Sequence, residues 1–257
     1  MSEEEENTPQ APGIAQAWAQ PEESSEARPR RRGRGVGPDP SEMLRNWTPK
    51  TRLGHMVQNG EIISMEAAVA TGIPIREVEI IDALIPGLED EVINVNMIQR
   101  MTDSGRRVRF NVMACVGNKN GYVGLAICKG KDVAATIRKS IQCAKLNIIQ
   151  IQRGNGSWES GHGPGTSVPF KTTGRAGSTR ITLLPAPTGK GLVIGDTGRQ
   201  VLTLAGVTDV WSRSKGQTRT TINFAQATFN ALKQLNAHRV SSDQATRLNI
   251  VKGGVIE

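Results

Sequence analysis

Three histidines, three cysteines and two Gly-Lys pairs are the residues whose types could carry catalysis, and their spacing speaks against it. His55, His162 and His238 stand far apart, without acids or thiols at metal-ligand spacing, so no metal site is expected. His162 lies in a glycine-rich stretch and reads as an exposed polar residue or an RNA contact. Cys115, Cys128 and Cys143 lack the paired spacing of a zinc site, and their odd number argues against a disulfide framework. Cys115 and Cys128 fall in alternating apolar patterns, as buried thiols of a reducing compartment do. Gly130-Lys131 and Gly189-Lys190 each lack the glycine five residues earlier and the Ser or Thr that a Walker A loop needs after its lysine. Glycines 189, 191 and 195 precede a predicted helix and could bring backbone amides to a phosphate. Their spacing is not the dinucleotide fingerprint, and no strand–loop–helix–strand unit with an acidic ribose ligand surrounds them. No catalytic residue and no cofactor is expected.

Lysine and arginine are what recur. The net charge is +8, but residues 1–30 hold seven acids and two bases, leaving 30 bases and 17 acids, a net +13, for the rest. A folded portion so basic suits a polyanionic partner. The densest run, Arg100 to Lys139, has nine bases and two acids. It opens with Arg100, Ser104, Gly105, Arg106, Arg107 and Arg109 around a predicted hairpin tip. It continues through Lys119, Asn120, Tyr122, Lys129 and Lys131 to Arg138 and Lys145 on a polar helix face, which can border the same surface. A second cluster is Arg213, Lys215 and Arg219, running into Thr220 at the start of a helix, where free amides and the helix dipole suit a phosphate. Thr220 or Thr221 can instead cap that helix, and the two roles are compatible. Lys171 and Arg175 complete the candidate RNA-binding set.

The elements that must position these residues are legible from periodicity. Residues 1–45 are polar and proline-rich, expected to be a disordered tail carrying an Arg/Gly arm at 28–37. Residues 46–87 read as a helical extension, with Ser64 capping Met65 to Ala70 and a second helix over Glu77 to Leu84. Alternation then predicts strands around 93–97, 107–116 and 123–127, with a turn at Asp103-Ser104-Gly105. Asn120-Gly121 is a two-residue hairpin signal. A helix over 132–149 has Val133, Ile137, Ile141, Ala144 and Ile148 on one face. This makes residues 88–153 a β-β-β-α unit. Glycines between 153 and 165 suit a hinge. Residues 154–240 follow as an α/β domain, with strands at 167–172, 179–184 and 209–212 and helices at 197–205 and 221–235. Residues 241–257 show no pattern and are expected to form a tail. The fold class is α+β. No apolar run approaches the roughly 18 residues of a membrane span. The acidic N-terminus is unlike a signal peptide, so the expected location is cytoplasmic.

Long motifs in order then resemble a known family. They are WTPKTRLG (47–54), MTDSGRRVRF (101–110), VGNKNGYVGLAICKGKDV (116–133), ATIRKSIQCAKLN (135–147), GSWESG (156–161), LLPAPTGKGLV (183–193), LAGVTDVW (204–211) and GQTRTTINFAQATFNAL (216–232). Together they resemble universal small-subunit ribosomal protein five, in its archaeal and eukaryotic branch. The resemblance implies a first domain similar to double-stranded-RNA-binding folds. It implies a second α/β domain of the type named for this family, with a left-handed crossover against the usual rule. It also implies binding to small-subunit rRNA near the decoding region and to mRNA at the channel through which it enters, and a role in translational accuracy. Small-subunit proteins three, four and eight would be neighbours, and the hairpin tip would reach the helix that lets the subunit head move. Bacterial members carry a lysine and a second glycine where this chain has Asp103-Ser104. The same superfamily holds small-molecule kinases, and residues 185–196 are similar to their phosphate loop but lack its Gly-Ser-Ser-Ala continuation. Two alternatives stay open: a free regulator of double-stranded RNA or mRNA, and such a kinase.

Overall fold

The computed structural model describes residues 47–85, 87–159 and 165–254. The expected tail with its Arg/Gly arm, and His162, lie outside the described residues. Three short helices open the described chain: α1 (Arg52–Gln58), α2 (Met65–Ala70) and α3 (Val78–Leu84). The hydroxyls of Thr51 and Ser64 accept the amides of Gly54 and Ala67, the N-caps that such residues favour. Their apolar faces, with Leu53, Met65, Ile80 and Ile81, form a small core that Tyr122 closes. The Glu77 carboxylate accepts from the Trp47 indole at 3.0 Å and from the Lys50 and Thr51 amides at 2.9 and 2.6 Å. Burial raises its pKa, but the hydrogen bonds from Thr51, Lys50 and Trp47 together hold it below its ordinary value.

The first sheet is antiparallel, in the order β1 (Glu89–Thr102), β2 (Gly105–Gly117), β3 (Tyr122–Gly130) and β4 (Ile148–Gln150), with α4 (Val133–Leu146) between the last two. The fourth strand corrects the expected three. Asn147 ends the helix and donates its side-chain amide to the Leu125 carbonyl, so Ile148 joins the sheet and not the helical stripe. The deepest line of α4 is likewise displaced from the isoleucines to Thr136, Ser140 and Ala144. These small residues lie over Gly124 and Gly130, where a Cβ would fall 2.2 Å from the Ala144 carbonyl oxygen and 2.0 Å from Oγ1 of Thr136. Close helix–sheet approach selects small side chains on both sides.

Asn120-Gly121 is not a two-residue turn either. Residues 118–121 form the loop, with φ of 55° at Lys119 and 89° at Gly121. Asn118 Oδ1 accepts the amides of Asn120 and Tyr122 at 2.8 and 3.2 Å.

The second sheet has the order β6 (Thr172–Ala176), β7 (Thr179–Pro185), β9 (Val210–Lys215), β8 (Leu192–Val193), with only the β8–β9 pair parallel. Two helices belong to this domain: α5 (Asp196–Ala205), joining β8 to β9, and α6 (Thr221–Ala237). The strand expected at 167–172 begins only at Thr172. Ser167 instead bridges Gly154, and its hydroxyl accepts the Ala186 amide at 3.1 Å. The described part of the glycine-rich link, expected to suit a hinge, is closely packed against other segments. It starts at the end of β5 (Gln152–Arg153), and at Gly156 a Cβ would meet the Pro169 carbonyl oxygen at 2.1 Å. These glycines permit chain crossings. The expected patternless tail is corrected too: residues 242–252 form α7 (Ser242–Arg247) and β10 (Val251–Lys252), which pairs with β5.

One core spans both sheets. Met113, Cys115, Val123 and Leu125 from the first pack with Val201, Leu202, Phe229 and Leu232 from the helices of the second. The 118–121 loop also caps α5, its Lys119 and Gly121 amides donating to the Leu204 and Ala205 carbonyls at 3.0 and 3.1 Å. This satisfies carbonyls that a helix end leaves open.

Candidate nucleic-acid interface

The first hairpin outruns its sheet. β3 pairs with β2 only from Phe110 to Gly117, whereas β1 and β2 remain paired out to Thr102 and Gly105. The pairs from Ile98–Arg109 to Thr102–Gly105 therefore project as a two-stranded arm, about 17 Å long at the usual rise per residue. Gly105 takes a φ of 107° to complete the tip, and the Thr102 hydroxyl donates to its carbonyl at 2.8 Å. Ser104 is exposed there.

Register sorts the predicted arginines. Arg100 faces Arg107 directly, and Arg109 follows on the same side opposite Ile98. Lys129 joins them through its pairing with Asn111. All four are exposed. Further along β1 the same side carries Asn94, whose amide donates to the Thr221 hydroxyl at the start of α6. Arg219 is exposed just before that helix, and Thr220, its N-cap, makes no side-chain cap bond. The face thus runs from hairpin tip to helix start. Asn111, not singled out from sequence, leaves its side-chain oxygen buried without a partner on this face. Beside it a cleft of about 410 Å³ opens between the sheet and α6, with Met113, Leu125 and Phe229 below and Asn147, Asn230 and Lys233 at its rim. A lone lysine in a helix gave no sequence signal for Lys233.

The single basic surface expected from Arg100 to Lys145 is divided. Arg106 pairs with Met101 and points to the side covered by α4, where Arg138 is exposed; Lys131 is exposed between β3 and that helix. Lys145 instead holds Asp82 at 2.6 Å, joining α4 to α3, and Lys119 pairs with Glu89 at 2.7 Å. Tyr122 is 8% exposed and belongs to the small core. Asn120 accepts from the Arg153 guanidinium at 2.7 Å. Periodicity placed these residues on strand, loop and helix but could not show that intrachain partners would take their polar groups. Lys171, Arg175, Arg213 and Lys215 are exposed on the second domain.

The glycine-rich loop before α5 bears on the kinase alternative. The buried Asp209 carboxylate accepts the Gly191 amide at 2.8 Å, placing an anion where a phosphate would need that donor. Burial, with Glu91 nearby, pushes the Cys115 thiol up to about 12, far from a thiolate at neutral pH. No group of His, Cys, Asp or Glu among the described residues could hold a metal ion, and no helix among them is long and apolar enough to cross a membrane.

Comparison with known proteins adds the family. The profile described as ribosomal protein S5, N-terminal domain, matches residues 88–152, and that for the C-terminal domain matches residues 174–247. The small ribosomal subunit protein uS5 of Halobacterium salinarum is 55% identical over 194 residues, covering 76% of this chain and 92% of its own. The chain belongs to the ribosomal protein S5 family. Its uS5 relatives in Methanothermobacter thermautotrophicus and Methanocaldococcus jannaschii are each 51% identical, covering 80% and 82% of this chain and 96% and 97% of theirs, which sets it in the archaeal branch of the S5 family. The N-terminal profile takes in the hairpin and α4, and the C-terminal one takes in the second sheet from Gly174 onward with α5, α6 and α7.

Proposed function

We propose that this chain is a structural constituent of the small ribosomal subunit, without enzymatic activity, working in the cytoplasm. It binds small-subunit rRNA near the decoding region and lines the channel through which mRNA enters, supporting translational accuracy. Small-subunit proteins three, four and eight are its neighbours. The observation that carries RNA binding is the Arg100–Arg107 pair, extended by Arg109 and Lys129 on one projecting face. Like charges directly opposite each other weaken a hairpin, and Asp103 at the turn is the only acid between Val92 and Lys131. An external polyanion offsets that repulsion. Docking is electrostatic first: the cations displace counterions condensed on phosphates, and shape fit with 2′-hydroxyl contacts fixes register.

Crosslinking in intact small subunits, with mapping of peptides and nucleotides, tests this. Peptides spanning 98–109 are expected on rRNA of the decoding region, and a result placing them only on protein would refute the assignment. Binding of the free chain to its rRNA segment is expected to weaken steeply with salt. With six phosphates neutralised, the log–log slope is about −5. A flat titration contradicts the electrostatic mechanism.

A further inference from the structure

Each helix-free row of the second sheet reads across strands. Arg175, Arg180 and Lys215 stand opposite one another on β6, β7 and β9. The next row is Thr173, Thr182 and Arg213, the two threonine hydroxyls 3.2 Å apart. The third is Leu184, Trp211 and Val193. The alternate residues Thr172, Gly174, Ile181, Leu183 and Val210 are buried beneath the helices. At Gly174 a Cβ would lie 2.0 Å from the Ala227 carbonyl oxygen, so α6 covers that inner side closely. The outer side is open: Trp211 is 38% exposed and Val193 52%.

We propose that this open face docks an unpaired stretch of RNA, with Trp211 as the platform for one base and Arg175, Arg180, Arg213 and Lys215 on its phosphates. The proposal rests on the RNA-binding reading above and adds a second surface with a different preference. The four strands contain no Asp or Glu, and among the described residues no acid pairs with Arg175, Arg180 or Lys215, so three cations in one row repel. Rows two residues apart lie about 7 Å from each other, which lets neighbouring cations follow one backbone. A protein partner would call for an apolar centre depleted of charge. Here the apolar residues form one row at one end of the face, and the other two rows hold four cations and two threonines. A single strand fits better than a duplex because an unpaired base offers its ring face to an aromatic side chain, whereas stacked pairs do not.

The test uses the full chain and two probes, a single-stranded oligouridylate of about a dozen nucleotides, within the usual site sizes, and a blunt RNA duplex. Trp211→Ala is expected to weaken oligouridylate binding about tenfold, while Trp211→Phe, which keeps a stacking ring, stays within about threefold of the parent. Arg180→Ala with Arg213→Ala is expected to reduce the salt slope for the single strand by about 1.4. Duplex binding is unchanged in all three, and Arg106→Ala with Arg107→Ala is the complementary control that weakens the duplex. Trp211→Ala leaving oligouridylate affinity intact, or Trp211→Phe losing as much as alanine, overturns the stacking role. Equal loss for duplex and single strand overturns the separate surface. If the parent binds neither probe, RNA recognition by the free chain fails altogether, a result distinct from either. Circular dichroism melts that match the parent tie each loss to the surface.

Discussion

Arg100 and Arg107 are the residues where folding and binding pull in opposite directions. They stand directly across the projecting hairpin, and their mutual repulsion is relieved by a partner that brings negative charge. Arg100→Glu is therefore expected to leave the thermal midpoint unchanged or slightly raised while weakening rRNA binding severalfold and lowering the magnitude of the salt slope by about 2. A fall in both midpoint and affinity would show the arginine to be structural. Lys145 gives the opposite outcome. Its ammonium holds Asp82 at 2.6 Å with both side chains only 20% exposed, and removing it leaves a largely desolvated carboxylate. Lys145→Ala is expected to cost about 1.5–3 kcal/mol in urea unfolding and to leave RNA affinity unaltered. Sequence placed both residues in one basic set, because a lysine's type does not reveal whether an acid 63 positions earlier folds against it.

At the scale of elements, close packing sets the geometry. α4 rests on the first sheet through Thr136, Ser140 and Ala144, and α6 rests on the second across Gly174. Gly174→Ala would drive a methyl into the Ala227 carbonyl and the Ala231 amide. The expected destabilisation is on the order of 3 kcal/mol, read as a lowered denaturation midpoint, since overpacking against backbone has no flexible side chain to yield. A cost under about 0.5 kcal/mol would mean α6 can lift from the sheet. The isoleucine stripe of α4 was legible because apolar periodicity reports a helix. Its true contact line was not, because small residues mark close approach only once the facing glycines are known. The hairpin was legible from alternation and the turn at Asp103-Ser104-Gly105, but its register, with Thr102 opposite Gly105, was not. Its protrusion depended on β3 ending at Gly130, opposite Phe110.

Across the whole molecule, Arg153 joins four segments. Its guanidinium donates to Asn120, to the Gly206 carbonyl and to the Gly253 carbonyl, at 2.7 to 3.3 Å. Burial pushes its pKa down, as expected for a cation held by neutral oxygens. Its neighbours are the β2–β3 loop, the end of α5 and the returning β10, so the two sheets meet around it. Removing residues 241–257 deletes β10 and one of these acceptors. The truncated chain is expected to lose on the order of 2–3 kcal/mol, lowering the thermal midpoint by several degrees. Unchanged unfolding would show the segment to be dispensable for the junction.

The sequence by itself determined the α+β class, most of the helices, the strand alternation of the first domain, the excess of cations and the family. Each of these rests on local periodicity or on residue order, which need no knowledge of distant neighbours. Only the tertiary structure decided that the described part of the glycine-rich link is a set of crossings, that Val251–Lys252 return as a strand, and that two sheets share one core. It also decided which cations are free to meet a phosphate: Arg100, Arg107, Arg109 and Lys129 stay exposed, while Lys119 and Lys145 find acids within the chain. Those outcomes depend on pairs far apart in sequence, and burial and charge pairing are properties of such pairs.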